Sequence, residues 1–162
     1  MSNICERPDQ ECRFYFLNFL ENKGFYELRD SAIVDEQGQF AGWDVGGIWS
    51  QDGKAYEFEL KARRFPSTTF SDNTCERHKL DVMGQHVREG KCKAGYIVST
   101  FTNGVMAINN ISDKYKTTIA ECPKTTDFSN NTKVPKELIN FFFKDDGLWD
   151  MQTMERLTDL PF

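Results

Sequence analysis

The sequence has no apolar run approaching the roughly 20 residues that a bilayer-spanning helix needs, so helical membrane proteins are set aside. Residues Met1 to Pro8 contain no apolar stretch of the kind that drives secretion, and a soluble, cytoplasmic protein without a membrane partner is expected. There is no Cys-x-x-Cys pair, no P-loop, no dinucleotide-type glycine pattern and no Gly-x-Ser-x-Gly elbow. Each absence removes a common chemistry. The five cysteines (Cys5, Cys12, Cys75, Cys92, Cys122) are odd in number and irregular in spacing. Free thiols in a reducing compartment account for them better than disulfides or zinc. A strongly basic balance is also missing. With a formal net charge of −5, the chain is not suited simply to coating nucleic acid.

What is present points to a packed fold. The 162 residues include fourteen phenylalanines, and 39% of the chain is hydrophobic, enough for one domain with its own core. Charge is uneven: residues 54–93 carry nine Lys/Arg against six acids, a local excess of three positive charges. That middle segment could touch phosphate, although a solvated surface explains the same count.

Residues 8–23 read as a helix. Pro8 suits a first turn, Asp9 and Glu11 suit the positive end, and Lys23-Gly24 ends it. Phe25–Leu28 and Ala32–Val34 are short extended candidates, and residues 36–39 a turn. Phe40–Ser50 and Ala55–Arg64 are strand-like around Asp52-Gly53, a strong hairpin signal. Pro66–Thr69 breaks the second strand and Phe70–Thr74 reads as loop. Cys75–Glu89 reads as a helix with Leu80, Met83 and Val87 on its buried stripe, capped by Asn73 or Thr74. Asn103-Gly104 marks a second two-residue hairpin between Gly95–Thr102 and Val105–Asn110. Val134–Lys144 reads as a helix starting near Pro135, and Leu148–Phe162 as a polar–apolar tail. The order implies a mixed sheet flanked by helices.

A two-residue Asp52-Gly53 loop would set Asp44 opposite Lys61, Gly46 opposite Glu59 and Ile48 opposite Glu57. Alternation then gathers Asp44, Glu57, Glu59 and Lys61 on one face, and Val45, Gly47, Trp49, Leu60, Phe58 and Tyr56 on the other. Two carboxylates offering oxygen to one cation are what Mg²⁺ prefers, and Gly46 would leave room beside them. Such an ion activates water for in-line attack on a phosphodiester, and Lys61 could steady the charge on phosphorus. A solvated sheet face is the plain alternative.

An aspartate followed some fifteen residues later by Glu59-Leu60-Lys61 on the paired strand resembles the PD-(D/E)XK nuclease superfamily. The order of elements over about residues 9–110 looks closest to the archaeal-type Holliday-junction resolvases and similar small nucleases. Trp43 stands where the family name expects proline. The resemblance implies a restriction-endonuclease-like α/β fold with a mixed central sheet. The chain itself, without repeat, linker or low-complexity tract, reads as a single domain over 1–162, with residues 111–162, beyond the resemblance, expected as a C-terminal extension packing on the core. The resemblance further implies Mg²⁺ or Mn²⁺ held by Asp44, Glu59 and the Leu60 carbonyl, with Lys61 catalytic. The family often adds a first-helix acid, here Glu11 or, less well placed, Glu21. A polar residue of its second helix corresponds best to Lys79. DNA would be the partner, with Arg63, Arg64 and Arg77 against its backbone, and small nucleases that cut both strands resemble dimers. The competing expectation is a nuclease-fold module without catalysis that binds nucleic acid or a protein. His78 and His86, two helical turns apart, lack a third ligand and read as structural.

Overall fold

The structure, a computed structural model, describes residues 8–30, 43–69, 72–111, 116–123, 133–142 and 147–157. Helix α1 (Pro8–Asn22) buries Cys12, Phe16, Phe19 and Leu20, the spacing of one helical face. It stops as the sequence implies, with Gly24 at a φ of +95°, where a side chain would also meet the Ser50 hydroxyl. The chain continues through β1 (Phe25–Asp30), β2 (Val45–Trp49), β3 (Lys54–Ala62), β4 (Asp72–Glu76), α2 (Arg77–Arg88), β5 (Ala94–Thr100), β6 (Val105–Asn110), β7 (Lys116–Pro123), β8 (Lys133–Phe142) and β9 (Gly147–Asp150). The expectations for residues 32–39 lie outside the described residues.

Six strands form one sheet in the order β1-β2-β3-β5-β6-β9, and β4-β8-β7 form a second. Strands β3 and β5 run parallel and the other pairs antiparallel. Alternation along β2, β3 and β5 sends Val45, Tyr56, Phe58, Leu60, Tyr96 and Val98 into a core with α1. On the opposite face Ile97 packs with Leu80 and Met83 of α2. The fold is α/β, a mixed sheet with a helix on each face.

Four sequence expectations are corrected. The first hairpin is offset by two: Val45 faces Phe58, Gly46 faces Glu57 and Trp49 faces Lys54. Its loop is Ser50–Gly53, closed by the Gly53 N–H on the Trp49 carbonyl at 2.8 Å. The wider turn is held by Asp52, which accepts the Lys54 N–H at 2.9 Å and the Tyr56 hydroxyl at 2.5 Å, besides pairing with Lys93 at 2.9 Å. An even offset leaves the two faces as expected, because side chains alternate with period two. The second hairpin has a three-residue loop, with Phe101 N–H on the Val105 carbonyl at 2.9 Å and Thr100 facing Met106.

Residues 72–74, expected as loop, and Cys75 and Glu76, expected as the start of the helix, form β4 and pair with β8. Accordingly α2 starts at Arg77, and Glu76 stands at its N-cap in extended conformation without a side-chain cap. Residues 133–142, expected as a helix from 134, are strand β8, whose exposure alternates from Lys133 to Leu138. Pro135 is tolerated there because β8 has only β7 beside it at that point, β4 pairing from Leu138 onward. The tail contributes β9, which closes the large sheet against β6.

Candidate functional site

Asp44 stands at a bend just before β2, where Val45 faces Phe58. The Asp44 N–H donates to the Phe58 carbonyl at 2.8 Å. Its carboxylate then takes the next donor along β3: the Leu60 N–H reaches Oδ2 at 2.8 Å. The other oxygen, Oδ1, accepts from Arg13 Nη2 at 2.5 Å. Arg13 also donates through Nη1 to the Asp44 main-chain carbonyl at 2.9 Å and to Asp30 Oδ1 at 2.8 Å. One guanidinium of α1 therefore gathers three oxygens from the end of β1 and the start of β2. Lys61 Nζ lies 3.6 Å from Glu59 Oε1. The side chains of Asp44, Glu59 and Lys61 are 20%, 13% and 23% exposed, half-sheltered yet within reach of solvent.

Sequence reasoning puts Asp44, Glu59 and Lys61 on one face; in the structure Lys61 lies 3.6 Å from Glu59, while the Asp44 carboxylate is held by the Leu60 N–H and by Arg13 of α1. The space expected beside Gly46 is taken. A Cβ at Gly46 would come within 3.3 Å of Arg29 Nη2 and 3.2 Å of the Tyr56 carbonyl, and the Arg29 guanidinium lies 5.1 Å from the centre of the Trp43 ring. The glycine makes room for an arginine, because Arg29 faces it across β1 and β2.

The residue pair that sequence reasoning missed is Glu57 with His86. Glu57 is 3% exposed, and both of its oxygens lie on His86 Nδ1, at 2.6 and 2.8 Å. A carboxylate so enclosed needs a hydrogen-bonding or charged partner. The available signal was that Glu57 lies on the face a second helix must cover. His86 had been matched instead with His78, whose side chain lies outside those described. Next to Glu57 is the buried thiol of Cys92, which burial pushes up to about 12, with Glu57 adding to the rise and Arg29 opposing it. Cys12, Cys75 and Cys92 are buried, and none of the three is in a disulfide.

The remaining site candidates are scattered. Leu60 is buried on the aromatic side and contributes its N–H to Asp44. Glu11 and Glu21 are both exposed on α1. Lys79 lies within α2, and its side chain is not among those described. Arg63 continues β3, with its N–H on the Thr100 carbonyl at 2.8 Å. Its Nε is buried and burial lowers its pKa, whereas Arg64 is exposed. Arg77 is exposed and pairs with Glu137 at 3.2 Å.

The donor set around Asp44 and Glu59 is all oxygen, the preference of a hard divalent cation. Both Asp44 carboxylate oxygens are already engaged, and no group of three or more His, Cys, Asp or Glu that could hold a metal ion occurs among the described residues. The chemistry of the donors fits such an ion, and the Arg13 contact must open before Oδ1 can serve it. No helix among the described residues is long and apolar enough to cross a membrane. Compared with protein-family models, with curated proteins and with solved structures, the chain finds no match.

Proposed function

We propose that the chain is a metal-dependent nuclease that hydrolyses DNA phosphodiester bonds on a restriction-endonuclease-like fold. The observation that supports this best is the Glu59–Lys61 pair on the face of the sheet away from the aromatic core, with the Asp44 carboxylate on the Leu60 N–H between them in sequence. Asp44 and Glu59, with the Leu60 carbonyl and Glu11 as the resemblance implies, would hold Mg²⁺ or Mn²⁺. Bound there, the ion supplies Lewis acidity and an activated water. Lys61 offsets charge at phosphorus, and Arg64 is an exposed cation for the DNA backbone. Arg13 would have to release Asp44 Oδ1 for that oxygen to hold the ion. A homodimer would present two such sites to the two strands of a duplex.

Purified protein is expected to cut plasmid or junction DNA with Mg²⁺ or Mn²⁺ and to stop with EDTA. Asp44→Ala and Lys61→Ala each reduce the rate by about 100-fold or more, the scale for losing a group that stabilises developing charge. Full activity in either variant would sink this assignment.

One observation favours a second reading, a nuclease-fold module that has given up catalysis and binds nucleic acid or protein. Arg13 and the Leu60 N–H together satisfy the carboxylate that should hold metal. Calorimetry separates the two: no heat of Mn²⁺ binding at millimolar concentration decides for the second.

A further inference from the structure

We propose that His86 is a catalytic general base of the nuclease site, with Glu57 its positioning residue; the assignment rests on the nuclease reading above. The geometry carries it. Both Glu57 oxygens lie close to Nδ1, at 2.6 and 2.8 Å; an ionised carboxylate only accepts hydrogen bonds, so with Glu57 in that form the proton sits on that nitrogen. In the neutral ring the lone pair is then on Nε2. That nitrogen makes no hydrogen bond among the described residues, and the side chain is 24% exposed. A buried acid that fixes the tautomer of a solvent-reaching histidine is the arrangement of an oriented base.

Its position suits the task. Glu57 and Glu59 are two residues apart on β3, so they share a face at a separation of about 7 Å. Glu57 is therefore one step along the same face from Glu59, and α2 lays the imidazole over Glu57. Three neighbours of the pair do not compete for this role. The Cys92 thiol is buried and stays protonated. Arg29 is always cationic and fills the space over Gly46. Glu89, on the turn after α2, is engaged by Gln85 at 2.8 Å and Lys91 at 3.1 Å.

In the step assigned, a water oxygen attacks phosphorus and passes its proton to Nε2. The phosphorus–oxygen bond to the leaving sugar breaks with its electron pair on that oxygen, which takes a proton from solvent. The products are a phosphate monoester and an alcohol, and His86 returns its proton to water.

The test uses the full chain, plasmid DNA and Mn²⁺. His86→Ala is expected to lower kcat by about 100-fold with little change in KM, within the range for loss of a general base, and added imidazole restores part of the rate. Glu57→Gln lowers kcat less and is not rescued. His86→Gln, which can still donate to Glu57, keeps the wild-type melting profile yet remains slow. If wild type cuts and folded His86→Gln cuts equally fast, the histidine assignment is overturned while the nuclease reading stands. Failure of imidazole to restore a folded His86→Ala overturns it as well. If wild type cuts no DNA with either metal, the nuclease reading fails and the assignment falls with it.

Discussion

The two faces of the β2–β3 hairpin are made from alternate residues of the same strands, yet they are held in different ways. Against α1 the contacts are ring on ring: Phe16 and Phe58 have centroids 5.0 Å apart, Phe19 and Trp149 5.1 Å, Phe58 and Tyr96 5.5 Å. Each such side chain contributes about 1.5–3 kcal/mol by leaving water. Against α2 the apolar patch is small, and the face is ordered by charge partners: Glu57 with His86, Glu59 with Lys61, and Asp44 with Arg13 at its margin. Buried ion pairs add little net stability, because desolvation cancels most of the attraction. One face stabilises the fold by apolar burial, and the other is ordered by charge.

The most severe way to break this comparison is on the aromatic face. Phe58→Ala is expected to cost about 3–5 kcal/mol, the range for emptying a fully packed aromatic site, read from urea unfolding. Lys61→Ala, on the other face, should move the same midpoint by less than about 0.5 kcal/mol. Equal losses in the two variants would show that the polar face is structural as well.

A sharper test lies at the margin between the faces. Arg13→Ala leaves Asp30 and Asp44 without their shared cation and should lower stability by about 1–3 kcal/mol. The same change frees Asp44 Oδ1, so Mn²⁺ should bind more tightly than in wild type by calorimetry. Weaker Mn²⁺ binding would mean that Arg13 shapes the site rather than competing for it.

The smallest effect concerns pH. The Cys92 thiol is raised in the folded chain from 9.0 to about 12, so the native state binds this proton more tightly than the unfolded one. Its contribution is complete below pH 9 and is lost progressively as pH rises toward 12. The alkaline decline in melting temperature should therefore be shallower in Cys92→Ala, and an unchanged decline would remove Cys92 as its source.

The parts of this arrangement legible in the sequence were those encoded locally. The spacing of Cys12, Phe16, Phe19 and Leu20, the Lys23-Gly24 stop, the Asp-Gly turn and the alternation on β3 each act within a few residues. What escaped was set by distant partners. The length of the first turn depends on Lys93, 41 residues from Asp52. The fate of Asp44 depends on Arg13, 31 residues away, and that of Glu57 on His86, 29 away. Strand β8 escaped because Pro135 matches a helix start as well as a strand position with one neighbour.

The four-residue turn at Ser50–Gly53 also says which insertions and deletions this chain could survive. A length change absorbed as an even shift of the hairpin keeps the chemistry-bearing side chains toward α2, merely moving them along the strand. An odd shift would drive Glu57, Glu59 and Lys61 into the rings around Phe16 and expose Phe58 and Tyr56 to water. Length variation at this turn is therefore filtered by parity, and descendants of this sequence should gain or lose residues there in pairs.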